Sequence, residues 1–147
     1  MLTLALDVGS RRIGVAVSDP TGFLASSRPL ITRTNLAADL DRIAQAVAAA
    51  EAQQVLVGLP YTLEGEVGPQ AKETLFFVDR LRERLTVPVL TWDERYTTVL
   101  AAEALRAQGV RSRKQRNRID SAAAAVLLQH YLDTERASVP PAPVQGQ

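Results

Sequence analysis

The chain has 147 residues, of which 46% are hydrophobic and 22% charged, enough apolar material for one folded domain and little room for a second. Zero cysteines exclude disulfide scaffolds, zinc knuckles and thiol nucleophiles, and a single histidine, His130, leaves any chemistry to carboxylates, hydroxyls, Lys and Arg. With 17 basic against 16 acidic residues, total charge by itself implies no polyanionic partner.

Residues 2–7, LTLALD, and 13–19, IGVAVSD, are short apolar runs joined by a turn around Gly9 and Ser10, the pattern of a β-hairpin. Asp19-Pro-Thr-Gly22 signals a second turn, and a third strand is expected between Phe23 and Thr32, with Pro29 favouring a sheet edge. Asn35 is placed to cap a helix whose apolar stripe is Leu36, Leu40, Ile43 and Val47. Residues 55–59, VLVGL, lack polar alternation, as expected of a strand covered on both faces and ended by Pro60. After a loop to Gly68, Pro69 suits a first helical position, and the helix it opens carries Leu75, Val78, Leu81 and Leu85 on its predicted buried side.

Residues 87–92, VPVLTW, form the next predicted strand, running into Asp93-Glu94-Arg95. Thr97 or Thr98 can cap a helix reaching Gly109, and Asp120 opens an Ala-rich helix bearing Val126, Leu127, Tyr131 and Leu132. Between them, residues 111–118 read RSRKQRNR, a basic arm with no acid, which is either a solvated loop or a phosphate-neutralising segment. Residues 138–147, with three prolines and little to bury, are expected to be a disordered tail behind a single domain spanning 1–137.

The order β-β-β-α-β-α-β-α-α implies an α/β fold: one mixed five-stranded sheet with an antiparallel β1–β3 meander, two parallel strands, and helices on its faces. Right-handed crossovers would put the fourth strand beside the first and the fifth beyond it. The carboxyl ends of strands one, four and five then share one rim, where open α/β sheets build their sites.

Asp7 and Glu94 fall at strand ends on that rim, and Asp120 begins a helix able to pack across it. Three converging carboxylates suit Mg²⁺ or Mn²⁺, and two such ions can drive phosphodiester hydrolysis. Each acid also has a plain structural reading: a turn-former at Asp7, a surface pair with Arg95 for Asp93 or Glu94, a helix cap at Asp120. A third and minor reading is that the Asp7-Val-Gly9 hairpin holds a nucleotide phosphate, as in the two-domain ATPases of the actin, Hsp70 and sugar-kinase type, but this chain has the length of one domain and no P-loop.

ALDVGSRRIGVAVSD (5–19), VGLP (57–60), DERYTT (93–98) and IDSAAAAVLLQ (119–129) together resemble the four signature blocks of the YqgF/RuvX family. These are bacterial RNase H-fold nucleases, described as Holliday junction resolvases and as nucleases that process pre-16S rRNA. The resemblance implies a two-metal site of Asp7, Glu94 and Asp120 holding Mg²⁺ or Mn²⁺, and a metal-dependent nuclease with structured RNA or branched DNA as partner. It favours 5′ processing of pre-16S rRNA; the lack of cysteine and of any apolar run long enough for a bilayer span leads separately to the expectation of a cytoplasmic protein with no membrane association. Junction resolution is the alternative and calls for a homodimer. A second alternative is a non-catalytic RNA-binding assembly factor. The block after VGLP departs from the family's usual Asp-Gly, reading Leu63-Glu64-Gly65. Phosphate contacts are expected from Arg11, Arg12, Arg95, Arg113, Lys114 and Arg116. Strand alternation lets only one of Asp93 and Glu94 face the metals, and the longer Glu94 is preferred. Trp92 is expected to pack against a helix, and His130 to be structural.

Overall fold

A computed structural model describes residues 1–94 and 116–138, with backbone alone for 116–120 and 138. Strands β1 (Thr3–Val8), β2 (Arg12–Ser18) and β3 (Ala25–Thr32) are followed by helix α1 (Leu36–Ala50), strand β4 (Gln54–Leu59), helix α2 (Pro69–Arg84), strand β5 (Val89–Asp93) and helix α3 (Arg116–Ser138). The sheet order is β3-β2-β1-β4-β5, with β1 antiparallel to β2 and parallel to β4. The mixed five-stranded sheet predicted from element order is therefore present, with β4 beside β1 and β5 beyond it as expected.

β3 takes the edge. Its register against β2 slips between Ile13, opposite Ile31, and Val15, opposite Arg28, so the extra residue lies on β3 around Pro29. Proline has no N–H for the ladder, and a bulge on an edge strand accommodates it. At the β2–β3 turn, Asp19 accepts from the backbone N–H groups of Phe23 and Leu24, at 2.7 and 2.9 Å. The Thr21 hydroxyl and these amides hold its carboxyl well below the usual range.

The two sheet faces bury different materials. On one, Leu4, Leu6, Val55 and Val57 meet Ile43 and Val47 of α1 and Phe77, Val78 and Leu81 of α2. On the other, the paired Ala5 and Ala16 join Leu56 under Ala124, Leu127, Leu128 and Tyr131 of α3. Alanines on both surfaces let α3 sit close to the sheet, and each fully buried Leu contributes about 1.5–3 kcal/mol. Asn35 caps α1 as expected, accepting from Ala38 N–H at 2.9 Å.

Some expectations are corrected. α3 is already helical at Arg116, the first described residue of this segment and four residues before Asp120; the Arg-Asn-Arg-Ile run contains no Gly or Pro and its two arginines are good helix formers. Arg116 thus belongs to the helix backbone, not to a loop arm. On α2, Thr74 and Phe77 are buried where the sequence pattern pointed to Leu75, which is half-buried, as is Leu85 beyond the helix end. The large ring of Phe77 takes the position nearest the sheet. The predicted helix at 97–109, most of the basic arm and the tail from 139 onward lie outside the described residues. No helix among the described residues is long and apolar enough to cross a membrane.

Candidate active site

Asp7 is the penultimate residue of β1, opposite Gly14 of β2. Alternation places it with Ala5 on the α3 side of the sheet. The next residues close a tight turn in which Gly9 N–H donates to Arg12 O at 2.9 Å. A Cβ at residue 9 would stand 2.8 Å from that oxygen, so glycine is required for the turn to close. The exposed Arg11 and Arg12 project from this turn and, with Asp7 and Gly14, border a recess of about 260 Å³.

The turn is clamped from behind by Arg33. Its backbone N–H donates to Arg11 O at 2.8 Å, and its guanidinium donates to Gly9 O at 3.0 Å and to Asp39 Oδ2 at 3.1 Å. Asp39 is 1% exposed, also accepts from Thr34 N–H at 3.0 Å, and so has both oxygens satisfied. Burial of Asp39 makes this ion pair unlike an exposed one: removing Arg33 strands a buried carboxylate.

Glu94 comes from the other side. One residue past β5, its N–H still donates to Leu59 O at 3.0 Å, extending the β4–β5 contact beyond the strand end. Trp92 packs on the α3 face and Val89 on the opposite one, so alternation puts Glu94 with Trp92 and Asp93 with Val89. The side chain of Glu94 then folds back over Gly58 of β4. A Cβ on residue 58 would lie 2.5 Å from Glu94 Oε1, 2.8 Å from its Cγ and 2.4 Å from Leu127 Cδ1. Only glycine leaves room for the carboxylate and α3 to share that spot.

The side chains of Glu94 and Asp7 hydrogen-bond to each other. Burial, the negative charge of Asp7, that hydrogen bond and, last, Asp93 push the Glu94 carboxyl up to about 8. Two carboxyl groups bond in this way only when a proton lies between them, so the pair carries one negative charge at neutral pH. Among the described residues no third acid completes a cluster of metal-ligating type. Asp120 lies in the α3 backbone and its side chain is outside the described residues, as is that of Arg116; Arg95, Arg113 and Lys114 are outside them entirely.

Trp92 and His130 behave as structural residues. Trp92 meets Tyr131 edge-on at 5.3 Å between ring centres and donates from Nε1 to His130 Nδ1 at 3.3 Å. Gly58 and the Arg33–Asp39 clamp are site features that sequence reading missed. A glycine inside an otherwise buried strand was the available signal for Gly58, since it marks close approach of another group.

The family model described as "RuvX: Holliday junction resolvase" matches residues 1–134. The chain belongs to the RuvX family. Among RuvX relatives, one from Desulforamulus reducens is 40% identical over 134 residues, covering 91% of this chain and 98% of its own, and carries the name "Putative pre-16S rRNA nuclease". Relatives of the same name from Mycobacterium leprae and Nocardia farcinica are 47% and 48% identical, covering 93% and 92% of this chain and 75% and 79% of their own. The fold is shared with RuvC of Thermus thermophilus, solved in complex with a Holliday junction substrate: TM-score 0.59 and 15% identity over 94% of this chain and 97% of that one. It is shared also with the fowlpox virus Holliday junction resolvase: TM-score 0.53 and 12% identity over 92% and 99%. The RNase H-like fold and nuclease family implied by the four sequence blocks are thus the ones found.

Proposed function

We propose that this RuvX chain is a divalent-metal-dependent nuclease hydrolysing phosphodiester bonds of structured nucleic acid, with the 5′ region of precursor 16S rRNA as its cytoplasmic substrate. The observation carrying the reading is the proton-sharing pair of Asp7 and Glu94, two acids brought together from β1 and β5 over a glycine. Adjacent carboxylates repel, and a fold that holds them together has a use for a cation between them. The donors are all oxygen, which suits Mg²⁺ or Mn²⁺ and not a softer metal.

Asp7 and Glu94 would hold the ions together with Asp120. Helical period puts position 120 on the stripe of Ala124 and Leu127, which packs on the sheet. Its neighbour Ser121 donates from Oγ to Arg28 O at 2.7 Å, and Arg28 is level, through Val15, with Leu6 beside Asp7. When bound, such ions supply neutralisation of the attacked phosphate and acidification of a water. Holding a cation there would require Glu94 to release its shared proton. Gly58 lets its carboxylate reach Asp7, and Arg11 and Arg12, on the clamped turn, hold the substrate backbone beside them without reading sequence. Arg95, Arg113, Lys114 and Arg116 would extend that contact.

The test is cleavage of precursor rRNA fragments and of four-way junction DNA by wild type and Asp7→Asn in Mn²⁺. Cleavage lost in the variant supports the assignment, and equal cutting by both proteins rejects it. Junction resolution, favoured by the family description and the RuvC-like fold, is the second reading. It requires a two-fold dimer cutting opposed strands, so a chain that stays monomeric on junction DNA excludes it.

A further inference from the structure

A large cavity lies apart from the carboxylate pair. It is a cleft of about 710 Å³ between the Gly9–Ser10 turn and α2. Val8, Leu36 and Phe77 give it an apolar floor, on which the Arg33 guanidinium lies 5.1 Å from the Phe77 ring centre. Phe76 borders it, 56% exposed, with the Arg80 guanidinium 5.2 Å from its ring centre. The edge carries Lys72, next to Glu73.

Phe76 holds a large ring toward water at the edge of this cleft, and the Arg80 guanidinium against it makes a flat platform. We propose that this cleft is a subsite for one unpaired nucleotide of the substrate, its base stacked on Phe76 and its phosphate near Lys72. The proposal rests on the nuclease reading and extends it. Three features favour nucleic acid as the occupant. The cleft opens on the α1–α2 face of the sheet, opposite to Asp7, but it shares the Gly9–Ser10 turn at the rim with the recess that Asp7 borders, two residues away along the chain. Two residues of extended chain span at most about 7 Å, comparable to one step along a nucleic-acid backbone. Stacking platforms with a neighbouring cation are how proteins take single-stranded bases, and every base presents a face to stack. The polar wall also offers the Gln70 amide and Ser10 hydroxyl to base edges. A strand crossing the turn from Asp7 would thus leave the paired region and drop its next base into the cleft.

The experiment measures binding of a fluorescein-labelled RNA duplex with a short single-stranded flank, in EDTA, by fluorescence anisotropy. The proteins are wild type, Phe76→Ala, Phe76→Trp, Lys72→Ala and Asp7→Asn. Phe76→Ala should weaken binding about tenfold or more, the scale of one lost base–aromatic stack, while Phe76→Trp restores it. An abasic nucleotide at a single flank position should erase the difference between wild type and Phe76→Ala, and a blunt duplex should show none. Asp7→Asn should bind the flanked duplex and fail to cut it in Mn²⁺, separating the cleft from the catalytic acids. Binding indifferent to Phe76→Ala, Lys72→Ala and every abasic position overturns the cleft alone. A wild-type chain that neither binds nor cuts nucleic acid overturns the nuclease reading with it.

Discussion

Glu94 reaches Asp7 by lying across Gly58, and the fit leaves no space for a methyl group: a Cβ there would stand 2.5 Å from the glutamate oxygen and 2.4 Å from Leu127. The carboxyl pair and the docking of α3 are therefore coupled through one missing side chain. Gly58→Ala should push Glu94 off Asp7 and strain Leu127, costing about 1–3 kcal/mol by overpacking and most of the metal-stimulated cleavage. Denaturant unfolding and cleavage assays check both, and wild-type behaviour in each would mean that Glu94 does not occupy this spot.

The raised Glu94 carboxyl gives metal-free stability a definite pH dependence. A carboxyl at about 8 in the folded chain, against an ordinary 4.5, favours folding fully below pH 4.5. That contribution is lost as pH rises through 8, because ionisation is easier in the unfolded chain. In EDTA the melting temperature should thus fall between pH 5 and pH 8.5, with a shallower fall in Glu94→Gln. On the proposed metal site Mn²⁺ would take the place of the shared proton, so its stabilisation should grow over the same range. A wild-type slope no steeper than that of Glu94→Gln would remove the shared proton from the account.

Asp7→Asn should uncouple activity from stability. The Asn amide can donate to the Glu94 carboxylate and replaces the bond of the shared proton, so the metal-free protein should melt no lower than wild type. Mn²⁺-dependent cleavage should drop by two orders of magnitude or more, as expected when one member of a unit that acts together is removed. Calorimetric titration with Mn²⁺ in parallel should show the loss of binding; unchanged affinity would take Asp7 out of the ligand set.

The clamp behind the hairpin turn should be far more costly to break than a cap. Arg33→Ala leaves the Asp39 carboxylate, its side chain only 2% exposed, without its cation, a loss of about 3–5 kcal/mol. Asn35→Ala removes one hydrogen bond to Ala38 N–H at the start of the same helix, about 1 kcal/mol. Urea unfolding of the two variants compares them directly, and equal losses would show the pair to be a surface-like one.

Trp92, the only tryptophan, is built into the contact between β5 and α3 and can report on it. Unfolding followed by its fluorescence should coincide with the helical signal in circular dichroism, because α3 supplies one whole face of the core. An earlier fluorescence transition would mean that α3 detaches before the sheet melts.

What the sequence determined by itself is what local periodicity and chain connectivity dictate. The β-hairpin, the doubly covered β4, the edge position of β3 with Pro29, the Asn35 cap and the strand order are all readable because each depends on neighbours in sequence or on the handedness of a crossover. Asp7 was legible as a rim acid for the same reason. Tertiary structure alone decided the rest. Whether Phe77 or Leu75 is buried on α2 depends on which position meets the sheet. That Glu94 rather than Asp93 meets Asp7 depends on the side of the sheet α3 covers. That Gly58 must be glycine, and that Arg33 reaches back to Gly9 across 24 residues, are matters of space shared by groups far apart in the chain. Such contacts leave no period in the sequence, because close packing is a property of the assembled layers and not of any one of them.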